Sequence, residues 1–295
     1  MKKITYYAFT FCFLLFGILS CNSDEDSKNL ITVDQEDVNQ SLNTKFDGKI
    51  FSIPSPILTM LLVKKVSKDF HPEYLAPTSN VDNYQSEFKR ALLVGVYGAD
   101  LGYTSMYRDK NKIMEYLVTV EKLTNSLGLE SSFDKNFLER YQNNIDNSDS
   151  MMYIVADAFK NADLFLKSGD RKSVSALMLA GGWTESMHFA SELAIKHKNK
   201  ELTERIGDQN QTLETMISLL EVNNKQNSND ELIVLFKDLK ESFDKITINY
   251  EFNEPETDAA NKITTLTHKV NFDIDEDTLL EIHSKIKFLR QFIIE

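Results

Sequence analysis

The chain has 295 residues, 42% of them hydrophobic and 26% charged, with a net charge of −12. That balance supports a sizeable core, in one large domain or two smaller ones. It repels nucleic acid and anionic head groups, and no zinc-finger spacing or basic stripe with interleaved aromatics offsets it, which argues against nucleic-acid binding.

The first element is a leader. Met1-Lys2-Lys3 is a positive n-region, and the apolar run Ile4 to Ile18 is too short for a transmembrane span, so residues 1–20 read as an export signal. Ile18-Leu19-Ser20-Cys21 resembles the end of a bacterial lipoprotein signal. The resemblance implies lipidation of Cys21, which would become the mature N-terminus and tie the chain to a membrane. Cys12, the other cysteine, lies inside the leader, so no disulfide framework gives Cys21 a different role. A free thiol would be a liability in an oxidising compartment, whereas several acyl chains on one residue anchor stably. Asn22 to Asn29 is polar and acidic, and residues 21–45 are predicted to form a disordered tether. Ser23-Asp24-Glu25-Asp26 resembles the acidic export signal of Bacteroidota surface lipoproteins, which implies a protein facing outward from the outer membrane. The other reading is a soluble acidic leader on the periplasmic side.

Phe46 to Ile53 carries an Asp47-Gly48 turn between short apolar elements, as a small hairpin or an extended arm would. In Ile53-Pro54-Ser55-Pro56, Ser55 can cap a helix with Pro56 at its first position. From about residue 55, apolar residues recur at three- and four-residue spacings. Helices are predicted from Pro56, then near 82–105, 109–127, 133–145, 148–168, 171–197, 199–223, 229–249, 256–270 and 276–292. Gly128 and Gly169 mark helix ends, Asn223 to Asn229 a linker, and Pro255 a helix start. The expected fold is all-α: a bundle or irregular array of nine or ten antiparallel helices over 46–295. Residues 229–295 form either a C-terminal helical appendage or part of one continuous unit.

Two helices depart from ordinary composition. Tyr84, Phe88, Ala91, Gly95, Gly98 and Gly102 fall at helical spacing, and interior glycines cost roughly 1 kcal/mol each against alanine. A face without side chains lets a backbone approach closely, so this stripe predicts tight helix packing or, alternatively, a ligand groove. Asp100 lies within helical reach of Tyr97 and Tyr103, and a buried carboxylate there must accept hydrogen bonds or see its pKa rise. It either braces a neighbouring element or serves a site. In the second helix, Gly181-Gly182 precedes Trp183, whose face continues through Met187, Ala190 and Ala194. Glu185, His188 and Glu192 share another face. Glu-x-x-His is a unit of di-iron bundles, but it occurs once here, so a surface or interhelix salt-bridge cluster is the better reading. The candidate cleft is therefore Tyr97, Asp100, Tyr103, Trp183, Glu185 and His188, with no metal, cofactor or catalytic residue assigned. No nucleophile elbow, Walker loop or His-Glu-x-x-His motif occurs.

Ile53-Pro54-Ser55-Pro56, Tyr97 to Tyr103 and Ala180 to Glu185 are similar to segments of uncharacterised, all-helical Bacteroidota lipoproteins, over roughly 46–250. The resemblance implies an exported helical domain and carries over no activity. The expected function is a non-catalytic binding or interaction module at the cell envelope, with a protein or small-molecule partner. The rival is an envelope hydrolase or metal-dependent enzyme with its site between helices, using Asp100, Glu185 and His188.

Overall fold

The computed structural model describes residues 42–46, 49–53, 56–130, 137–259, 262–265 and 267–295. The leader, Cys21, the acidic run, most of the tether, Asp47-Gly48 and Ser55 lie outside the described residues. The architecture is all-α, with ten helices and three two-stranded sheets among those residues. Strands β1 (Leu42–Phe46) and β2 (Lys49–Ile53) pair antiparallel, with Leu42 opposite Ile53, as a hairpin there would. Helix α1 (Pro56–Val66) follows, and two 3-10 turns (Pro72–Tyr74 and Thr78–Asn83) carry the chain to α2 (Glu87–Tyr107). Ser86 caps α2 by accepting the Lys89 N–H at 3.1 Å. Then come α3 (Lys110–Ser126), α4 (Phe137–Asn143), α5 (Ser148–Ser168) and α6 (Lys172–His197).

The predicted helix at 199–223 is two: α7 (Lys200–Asp208) and α8 (Asn210–Val222), meeting at Gln209. Helix α9 (Asp230–Phe243) ends earlier than expected. The helix predicted over 256–270 does not form. The described residues of 247–273 form an antiparallel arm instead, in which β3 (Thr247–Glu251) pairs with β6 (Lys269–Asp273), and β4 (Glu256–Asp258) pairs with β5 (Ile263–Thr265). Pro255 with acidic neighbours imitates a helix start, but the β-branched run Ile263-Thr264-Thr265 favours an extended backbone. The chain closes with α10 (Glu276–Ile294), capped by Asp275 on the Thr278 N–H at 2.7 Å. Among the described residues, no helix is long and apolar enough to cross a membrane.

The core is organised on the crossing of α2 and α6. Helix α6 is buried on nearly every side, as an element apolar all round must be. The crossing is a backbone-to-backbone contact made by glycine. A Cβ at Gly95 would overlap the Met178 carbonyl oxygen and lie 2.5 Å from the Gly182 nitrogen; one at Gly181 would overlap the Leu92 carbonyl oxygen. At Gly98 the space is taken by the Phe159 ring of α5, so this part of the stripe serves packing too. Gly102 differs, because a Cβ there meets nothing within 4 Å. Gly102→Ala is therefore expected to stabilise the protein by up to about 1 kcal/mol in a denaturant melt, the gain that helix propensity alone predicts.

Candidate functional site

Of the six predicted cleft residues, the structure brings Tyr97, Asp100, Glu185 and His188 to one place. That place is where α2 and α6 face α10 and the irregular segment 67–77. Asp100 and Glu185 are both fully buried, on helices held together by the glycine crossing. Arg290 of α10 completes the cluster. Its Nε donates to Glu185 Oε2 at 2.6 Å and its second terminal nitrogen to Glu185 Oε1 at 2.8 Å, a bidentate pair. That same nitrogen donates to the Tyr74 carbonyl at 2.9 Å.

Burial drives the Asp100 carboxyl well above the usual carboxylate range, and the neighbouring Glu185 charge pushes it further. Burial also raises Glu185, with Arg290 pulling the other way. A bidentate guanidinium needs an ionised partner, so Glu185 carries the charge and Asp100 the proton. Asp100 Oδ2 accepts the Ala76 N–H at 3.3 Å, while Oδ1 is buried with no donor to meet. A proton on Asp100 turns its contact with Glu185 from two acceptors into a donor and an acceptor, with Glu185 receiving it.

His188 lies at the edge of this cluster. Its Nε2 is 3.2 Å from the Tyr74 carbonyl, which can only accept, so Nε2 carries the hydrogen and Nδ1 is bare. Burial first, and then the Arg290 charge, lower its pKa to about 2. Further along α6, Glu192 Oε1 lies 3.5 Å from Lys287 Nζ and 3.8 Å from His283 Nε2. Glu185 and Glu192 thus face α10 in antiparallel order, which makes this face of α6 an interhelix ion-pair ladder. Among the described residues, no group of three or more His, Cys, Asp or Glu side chains is placed to hold a metal. A depression of about 140 Å3 lies at the edge of the cluster, lined by His188, Lys287, Arg290, Gln291, Ile294 and Glu295. It is smaller than the few hundred Å3 of a typical small-molecule pocket.

Asp100, His188 and Arg290 share one target with four nearby tyrosines, the backbone of 67–77. The Tyr107 hydroxyl donates to the Ser67 carbonyl at 2.9 Å, and the Tyr103 hydroxyl accepts the His71 N–H at 3.2 Å. The Tyr116 hydroxyl donates to the Ala76 carbonyl at 2.6 Å, and that of Tyr97 to the Pro77 carbonyl at 2.8 Å. The segment is buried at Ser67, Leu75 and Ala76 and exposed or half-buried between them, and these side chains satisfy backbone groups on its inner side. Tyr103 belongs to the far end of this clamp, stacked on Phe189 with ring centroids 4.3 Å apart. Trp183 lies apart from it: its Nε1–H donates to Gln209 Oε1 at 3.2 Å and its ring packs near Phe236.

Arg290 is the member that sequence reasoning missed. The only signal for it was indirect, since a glutamate in a helix as apolar as α6 needs a cation from elsewhere. No family model matches this chain, and neither does any curated protein or solved structure.

Proposed function

We propose that this chain is a non-catalytic helical binding module, tethered by lipid on Cys21 to the outer membrane of a Bacteroidota-type cell envelope. The acidic residues behind Cys21 favour an outward-facing position. One observation carries the non-catalytic part: each ionisable group of the buried cluster is already committed. Asp100 holds its proton against Glu185, and the Glu185 charge is neutralised by Arg290. His188, with a pKa near 2, is too weak a base to take a proton efficiently at neutral pH. A hydrolase or metal-dependent enzyme between these helices would need at least one of them free to exchange protons or ligands.

Two experiments test the proposal. In fractionated cells, Cys21→Ala should move the protein from the membrane to the soluble fraction; an unchanged membrane-bound amount contradicts lipid anchoring. Crosslinking in intact cells should give a discrete adduct with another protein. No adduct, together with a hydrolytic activity that Glu185→Gln abolishes while the fold persists, would make the chain an enzyme.

A further inference from the structure

Residues 247–273 leave the helical body as an arm with two unlike faces. In the β3–β6 register, Ile248 stands opposite Phe272 and Tyr250 opposite Val270. The two-residue period of a strand sets Ile248 and Tyr250 beside Val270 and Phe272, with Phe252 just past the end of β3, and leaves Thr247, Asn249, Glu251, Lys269, Asn271 and Asp273 behind them. The body covers only the root of the apolar face. There Phe272 lies so close to Gly207 of α7 that a Cβ on the glycine would be 2.7 Å from the Phe272 Cβ. Beyond it, Ile248 is 51% exposed, Tyr250 61%, Phe252 68% and Val270 41%.

A two-stranded hairpin is marginal in water by itself, and an uncovered apolar strand edge is a template for pairing. Among the described residues β3 pairs with β6 alone, and the β6 side approaches α7, so the outer edge of β3 is the open one. Charge selects what can lie there. On the arm, Glu251, Glu254, Glu256, Asp258 and Asp273 outnumber Lys262 and Lys269, on a chain of net charge −12. A second copy or an anionic lipid surface would meet like charge; a cationic partner is attracted.

We infer that the arm is the docking element of the binding module proposed above, and that its occupant is an extended segment of another protein in which aliphatic and basic residues alternate. Added to the edge of β3, such a strand sets aliphatic side chains against Ile248, Tyr250 and Phe252, and its cations on the face of Glu251.

The probe is a nine-residue peptide alternating valine with lysine, compared by fluorescence anisotropy with two controls. In one, glutamate replaces lysine; in the other, the same valines and lysines are arranged in blocks. The alternating lysine peptide should bind at least tenfold more tightly than either control. Tyr250→Ser/Phe252→Ser should weaken it at least tenfold with the melting temperature unchanged, and Glu251→Lys/Glu254→Lys should reverse the preference between lysine and glutamate. Equal affinity for all three peptides, or no loss in the serine variant, overturns the inference. So does wild-type dimerisation or partition onto anionic vesicles that the serine variant abolishes, because either names a different occupant. The intact-cell crosslink separates this inference from the reading it rests on. An adduct undiminished in the serine variant defeats the arm alone, and no adduct in either protein defeats the binding module.

Discussion

Gly95→Ala is expected to destabilise the protein by about 3 kcal/mol or more, although alanine is the better helix former by roughly 1 kcal/mol. The new methyl would occupy the space of the Met178 carbonyl oxygen and crowd the Gly182 nitrogen. Both belong to the backbone of α6, so no rotamer change relieves the overlap, and α2 and α6 must move apart. Gly181→Ala meets the Leu92 carbonyl from the other side and should cost as much. Gly98→Ala should cost less, because the obstacle is the tip of the Phe159 ring, which can turn aside. Denaturant melts check the order, with Gly102→Ala as the control in the same helix. If Gly95→Ala melts like wild type, the crossing is looser than its geometry says.

Arg290→Ala is expected to cost about 3–5 kcal/mol, the range for removing one partner of a buried ion pair. Most of that cost comes from Glu185, which is fully buried and would keep a charge with no counter-ion or take up a proton. The Tyr74 carbonyl would also lose one of its two donors. Replacing both members, as Glu185→Gln/Arg290→Met, should recover part of the loss, because it removes the stranded charge. A melt of the double variant no better than that of Arg290→Ala would show that shape, not charge, makes Arg290 necessary.

The helical frame was legible because its signals are local. Pro56 at the start of α1, Gly128 after α3 and Gly169 after α5 can be read without knowing any neighbour. The glycine stripe announced close packing, and Gly95 and Gly98 serve it; that Gly102 does not depends on where α5 and α6 stop covering α2, which is a tertiary fact. Ile248, Tyr250 and Phe252 alternate with Asn249 and Glu251, a period of two that the expected helices over 229–249 and 256–270 leave unread, the second of them resting on Pro255. Asp100 and Glu185 stood out as charges in apolar helices. Their partner did not, since Arg290 lies 105 residues from Glu185 and one arginine in an amphipathic helix looks like any other.

In the function proposed above, the buried cluster holds the 67–77 segment in place and does no chemistry. Amide hydrogen exchange at Ala76, whose N–H is given to Asp100, separates that role from any other when wild type is compared with Asp100→Leu. The Ala76 amide should exchange slowly in wild type, and at least a hundredfold faster in the variant while the core of α6 stays protected. Rapid exchange at Ala76 in wild type, or protection unchanged by Asp100→Leu, would contradict it and leave the Asp100 carboxyl available for another role.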